Sequence, residues 1–146
     1  MANKVIHLAY TQSATSALTT ELDGLTNGST SSASSAIDNT TNLDLFMDLE
    51  LNLGAAGSSR SSGATVSVYM TASLDASNYP DANSTTAELV AVFPLDAATT
   101  ARRLVRRDIP IAPGLFKLFA VNNTGQALNA SGNTLKYRTH SINNNG

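Results

Sequence analysis

Few side chains in this 146-residue chain can do chemistry: two histidines, eleven carboxylates and nine cations, with no cysteine and no tryptophan. Without cysteine there can be no disulfide framework, thiolate metal site or cysteine nucleophile. His7 and His140 stand at opposite ends of the chain, so a histidine-based metal site needs the fold to bring both together with carboxylates. Strand-end histidines on an ordinary surface are the plainer reading. Serine is abundant, but there is no G-x-S-x-G elbow to present one as a nucleophile. A phosphate-cradling G-x-x-x-x-G-K-[ST] loop and a G-x-G-x-x-G turn opening a helix are also missing. The expectation is a non-enzymatic protein with no catalytic residue, no cofactor and no metal ligand.

Two charged constellations remain. Asp44, Asp48 and Glu50 share the parity that places side chains on one face of a strand, with Phe46 between the first two. A hard cation wants several oxygen ligands, yet carboxylates four residues apart on a strand stand about 13 Å apart, too far to share one ion. They read as a solvated acidic face or half of a contact between subunits. Arg102, Arg103, Arg106 and Arg107 form the densest basic cluster. Single-stranded nucleic acid would require aromatic stacking platforms beside that basic density, and the cluster has none. Arginine is suited to bidentate pairing with carboxylates, so these four are assigned to contacts with a carboxylate-bearing neighbouring chain, with a solvated edge strand protected from aggregation by its charge as the alternative. Asp75, Asn78, Asp81 and Asn83 are also oxygen-rich, but lack the glycine and terminal glutamate of a calcium loop and read as turn residues.

The elements that position these groups follow from periodicity. From Leu43 to Leu53 the odd positions are Leu43, Leu45, Met47, Leu49, Leu51 and Leu53, and the even ones Asp44, Phe46, Asp48, Glu50 and Asn52. A period of two over that length predicts a half-buried strand with its leucines inward. Further strands are expected over 4–10, 64–72, 87–95, 103–109, 115–121, 127–130 and 135–139, separated by Gly, Asn and Pro turns, with a short helical turn possible at 97–103. Residues 11–42 differ, since fifteen of these 32 are Ser or Thr. They read as a weakly patterned arm or pair of edge strands, with a mobile connection at Asn27–Ser35. The tail 143–146 should fray. About eight short strands with turn signals imply an all-β, jelly-roll-like β-sandwich in a single domain spanning 1–146.

Charge is unevenly distributed along the chain. Residues 1–100 carry Lys4 and Arg60 against ten carboxylates, a formal −8, and residues 101–146 carry seven cations against Asp108, +6. Such asymmetry bears on association rather than fold. No apolar run is long enough for a transmembrane helix, and the N-terminal residues lack the apolar stretch of a secretory leader. Neither a membrane nor nucleic acid is expected as a partner.

The segments Val68-Tyr69-Met70, Ser73-Leu74-Asp75, Asn78-Tyr79-Pro80-Asp81, Ile109 through Lys117 and Ala130 through Arg138 resemble a group of small tailed-bacteriophage virion proteins. These are similar to the capsid cement, or decoration, proteins that carry a jelly roll. The resemblance covers roughly residues 43–140 and rests on strand-and-turn patterns. It implies a homo-oligomer, a dimer or trimer, made in the bacterial cytoplasm and resident on the capsid surface, where it ties neighbouring major capsid subunits together. A phage tail or fibre component is the nearest alternative. A carbohydrate-binding β-sandwich is a third reading, in which Tyr69, Tyr79 and Tyr137 would supply an aromatic platform.

Overall fold

The leucine alternation is realised in the strand Phe46–Leu53, where Met47, Leu49, Leu51 and Leu53 are buried almost completely. The computed structural model describes the backbone of residues 4–7 and 13–145, and side chains within 13–142. The strands are β1 (Lys4–His7), β2 (Thr15–Leu18), β3 (Ile37–Asp38), β4 (Phe46–Leu53), β5 (Thr65–Ser73), β6 (Glu88–Pro94), β7 (Arg102–Pro110), β8 (Leu115–Asn123), β9 (Thr134–His140) and β10 (Ile142–Asn145). Two four-stranded antiparallel sheets, ordered β2-β9-β4-β7 and β3-β8-β5-β6, form a β-sandwich, and β1 pairs with β10 as a separate ribbon.

The order has a simple generator. Within the sandwich the first strand pairs with the last, the second with the seventh, the third with the sixth and the fourth with the fifth. A long hairpin of four strand pairs, rolled up so that β4 also meets β9 and β5 also meets β8, gives these sheets. That is the double-sheet jelly roll. Its core is built where inward parities meet. Leu51 lies between Leu104 and Leu135, while Val66, Val68 and Met70 of β5 face the same interior as Phe116, Leu118 and Ala120 of β8.

The Ser/Thr-rich segment supplies the expected pair of edge strands, β2 and β3, one at an edge of each sheet. Leu18, Leu22 and Ile37 anchor it in the core. The stretch expected to be mobile runs along the open edge of β8 with its backbone bonded there. Gly28 N–H donates to Asn122 O at 2.6 Å, Ser31 N–H to Ala120 O at 2.8 Å and Ser34 N–H to Leu118 O at 2.8 Å. The buried hydroxyls of Ser31 and Ser34 accept the Ala120 and Leu118 N–H groups at 3.0 and 3.1 Å. A serine hydroxyl thus replaces a strand carbonyl, so weak strand propensity is no obstacle.

Other expectations are corrected. Leu43 and Leu45 are about half exposed and Asp44 is buried instead. The Asn39 side chain accepts Asp44 N–H at 2.9 Å and donates to Asp44 O at 2.8 Å, closing a turn with Leu43 at φ +51°, so β4 starts only at Phe46. Residues 127–130 form no strand, since the Asn122 amide holds Leu25 O and Gln126 O and Leu128 N–H donates to Leu25 O. Residues 97–101 are irregular rather than helical. The buried Arg60 guanidinium draws them across the sandwich end by donating to Ala98 O at 2.6 Å and Thr100 O at 3.1 Å. The tail expected to fray instead supplies β10, and of the strand expected over 4–10 residues 8–10 lie outside the described residues.

Removing one serine hydroxyl leaves a buried β8 N–H without its acceptor, a cost of about 1–3 kcal/mol. The Ser31→Ala and Ser34→Ala variants should each unfold at lower denaturant concentration by that margin, and Ser32→Ala, at an exposed position, should not. Equal midpoints for all three in chemical denaturation would contradict the edge-pairing account.

Candidate functional site

Charge gathers on the outer face of the β2-β9-β4-β7 sheet. Because β4 pairs with β7 on one side and β9 on the other, its outward residues meet outward residues from both. Glu50 lies between Val105 and Lys136, and Asn52 between Arg103 and Thr134. Asp48 is opposite Arg138 on β9. On the β7 side the ladder is irregular, with Met47 opposite Ile109 and Leu49 opposite Arg106, so Arg107 and Asp108 together face Asp48. This is a β-bulge, a device that re-aims side chains. Asp108 takes φ +56° there, a conformation Asp tolerates better than most residues.

The bulge builds a compact network. The Asp108 N–H donates to one Asp48 carboxylate oxygen at 3.0 Å. The other oxygen accepts two bonds from Arg138, at 3.2 Å from Nε and 3.1 Å from Nη2, and lies 3.7 Å from Arg107 Nε. His140 Nε2 is 3.0 Å from Asp108 Oδ1, and its Nδ1 is 4.0 Å from Asp48 Oδ1. Phe46 stacks on the imidazole at 5.7 Å between ring centroids. Asp48 and His140 are buried, whereas the Asp108 side chain is about half exposed. The surface role expected for His140 is therefore corrected: its ring sits inside the network. The side chain of His7 lies outside the described residues.

Ligand atoms of Asp48, Asp108 and His140 all lie within 4.8 Å of one another, so these three could hold a metal ion. An imidazole with two carboxylates suits a borderline transition ion. However, Arg138 and Arg107 already contact Asp48, and two guanidinium cations balance two carboxylates. The cluster is charge-compensated by its own side chains and needs no cation to be stable.

The other predicted residues disperse. Asp44 sits in the turn before β4, where Ser141 Oγ donates to it at 3.2 Å. Glu50 accepts both Nε and Nη2 of Arg103, at 2.9 and 2.6 Å. This pairing, helped by the Asn52 amide, holds the Glu50 carboxyl below its usual range. Arg102 donates to Asp96, lowering that carboxyl and raising its own guanidinium. Arg106 donates to Val92 O at 2.9 Å with its guanidinium carbon 5.7 Å from the Phe93 ring centroid, bridging edge strands of the two sheets. The four arginines assigned to contacts between chains thus each have a partner within their own chain. Arg103 and Arg107 remain the most open, with side chains 73% and 60% exposed.

Sequence reasoning missed Lys136, Arg138, Asp108 and His140 as members of this face. The alternation of Lys136 and Arg138 with Leu135 and Tyr137 was a usable signal for the first two. His140 continues the same parity, whereas a bulge cannot be seen in that alternation, so Asp108 had no signal. Between Glu50, Arg103, Val105, Lys136 and Arg138 lies an open concavity of about 300 Å³. The three tyrosines of the carbohydrate reading share no face. Tyr137 is opposite Leu49 and packs on the core, Tyr69 stacks on Phe119 on the other sheet, and Tyr79 lies on a loop with the Lys117 ammonium 4.3 Å from its ring centroid.

Two outcomes test this geometry. Asp48→Asn leaves the Arg138 and Arg107 guanidinium groups without their buried carboxylate, and should cost about 2–4 kcal/mol in denaturant unfolding at pH 7. Glu50 behaves differently, because its lowered folded pKa contributes stability above the unfolded value of 4.5 that is lost as pH falls through the folded value. Glu50→Gln should lower stability by no more than about 1 kcal/mol at neutral pH, given the exposure of Arg103. Its gap to the unsubstituted chain should close on acidification below pH 4.5, and a gap that persists to pH 2 would contradict the ion pair.

No family model matches this chain, and no curated protein matches it. Six chains of solved structures match. One, titled "CBM4 structure and function", has 12% sequence identity, a TM-score of 0.29 and coverage of 76% of this chain and 69% of that one. Agreement this loose carries no argument about function.

Proposed function

We propose that this chain is a structural virion protein, a homo-oligomeric cement that binds an assembled phage capsid and bridges its major capsid subunits. The observation carrying the proposal is where the jelly roll spends its charge. Its ionic residues are fixed in pairs across an open sheet face, with a guanidinium row at the β7 edge, and this suits wide contact with another protein surface. Arg103 and Arg107 are placed to steer and register that contact. The strand-and-turn resemblance over roughly 43–140 points the same way.

The physics of cementing asks for little more. A protein that binds the closed shell and not its separated subunits stabilises the shell by mass action, by about 2.7 kcal/mol when free protein is a hundredfold above its Kd. No chemistry at the capsid surface is required of it.

Purified chain should co-sediment with expanded phage heads and raise their melting temperature, more strongly at low than at high salt. The Arg103→Ser, Arg107→Ser double variant should bind heads about tenfold or more weakly, since both guanidinium groups project from the face. A chain that leaves head melting unchanged, but is retained on an immobilised polysaccharide, would replace this reading with the carbohydrate-binding one.

A further inference from the structure

At one end of the second sheet the chain presents an unusual feature. Leu74, directly after β5, is fully exposed, the most exposed large apolar side chain among the described residues. It stands on a preorganised turn. The Asp75 carboxylate accepts Asn78 N–H at 2.7 Å, Ser77 N–H at 3.0 Å, Asn78 Nδ2 at 2.6 Å and Ser73 Oγ at 3.1 Å. These bonds, those from Asn78 foremost, hold the carboxyl far below its usual range and so keep it ionised. A leucine held in place by its loop loses little freedom on binding.

The surroundings of this knob are acidic. Asp38 pairs with Leu115, which in turn pairs with Ser73, so Asp38 lies two strands from the base of the knob. Glu88 is opposite Met70 at the other side of β5, and Asp81 lies on the same loop as Leu74. With Asp75, these are four carboxylates at this end of the sheet or on its loop, and the cation Lys117 is placed over the Tyr79 ring. The concavity on the first sheet has the opposite character. Val105, 47% exposed, is apolar there, and Arg103, Lys136 and Arg138 line it with a net excess of positive charge over Asp48 and Glu50. Glu50 and Asp48 are engaged by Arg103 and Arg138, while Lys136 has no ion-pair partner within 4 Å among the described residues.

We infer that the Leu74 knob with its acidic surround docks into the Val105 concavity, lined by Arg103, Lys136 and Arg138, of a second copy of this chain. The two features belong to different sheets, so one chain does not satisfy itself. The contact is heterologous, knob of one copy to concavity of the next, and closes into a ring when the rotation between copies permits. A two-fold contact of knob against knob would bring four carboxylates against four and is disfavoured. The inference rests on the proposed homo-oligomer only in requiring self-association.

Sedimentation velocity of the purified chain over a range of concentrations, at low and high salt, tests the contact without capsids. The unsubstituted chain should self-associate more weakly at high salt. Leu74→Asp, at a site whose side chain touches no core, should weaken association about tenfold or more. Lys136→Glu and Asp81→Lys should each weaken it, and the two together in one chain should restore it, because the exchanged charges again meet across the interface. A chain monomeric to millimolar concentration overturns the inference, as does association indifferent to Leu74→Asp, or loss in the single variants without recovery in the double. Head binding by a chain that stays monomeric sinks this contact and leaves capsid binding standing without its homo-oligomeric part; self-association without head binding supports the contact and sinks the capsid reading.

Discussion

The register of β4 between β7 and β9 is the constraint from which the rest of the molecule follows. A strand has a period of two, so a slip of one residue would send Met47, Leu49, Leu51 and Leu53 outward and bring Asp48 and Glu50 into the core. Burying four large apolar side chains, and keeping Asp48 and Glu50 on the outer face where Arg138 and Arg103 meet them, favours the observed register by several kcal/mol, at roughly 1.5–3 kcal/mol for each apolar chain. Once β4 is set, its neighbours are set too. Leu104 and Leu135 flank Leu51 inside, and Arg103, Lys136 and Arg138 are brought onto the outer face around Glu50 and Asp48. The core pattern and the charged face are two sides of one alignment. The bulge at Asp108 is a local departure from it, in which one extra residue on β7 turns a carboxylate towards His140.

A second principle explains how a chain with so much Ser, Thr and Asn closes a jelly roll. Backbone donors and acceptors at buried edges must find partners, and here short polar side chains supply many of them. Ser31 and Ser34 accept from β8, Asn39 completes the turn into β4, and Asn122 holds the carbonyls of Leu25 and Gln126. The fully buried Asn122 and the buried Asn39 and Asn133 therefore act as fixed joints between segments far apart in sequence. Such joints leave little need for long, strongly patterned strands at the β3 position, where regular pairing is only two residues long.

This explains what could and could not be read from the sequence. The all-β class, the strands with clear alternation and the jelly-roll wrap were legible because the apolar period survives in β4, β5 and β6 and β8 is a short apolar run between turns. The pair of edge strands in the Ser/Thr-rich segment was legible, but the seating of Asn27–Ser35 on β8 was not, because propensity and periodicity do not register a serine hydroxyl standing in for a carbonyl. Leu43 and Leu45 were misplaced for a related reason: the alternation continues through them, but the Asn39–Asp44 clamp overrides it. The arginine cluster was correctly placed on a strand, and its partners were sought in a neighbouring subunit. Glu50, Asp96 and Val92 O lie close enough through the fold to take those bonds within one chain. A contact between sequence-distant groups is the kind of fact that spacing along a chain cannot contain.

The uneven charge along the sequence acquires a different meaning in three dimensions. Pairing the third sandwich strand with both the sixth and the last lays acids from the first hundred residues beside cations from the last third, so much of the opposition between halves is cancelled inside the molecule. What survives is spatial: Asp38, Asp75, Asp81 and Glu88 at one end of the β3-β8-β5-β6 sheet, and a cationic excess on the outer face of the other. Charges far apart on one molecule gain little from each other across an aqueous screening length of about 8 Å. They gain more when a second surface brings the two signs into contact and excludes water between them. The fold neutralises most of its charge locally and leaves the remainder as opposite signs on separate faces.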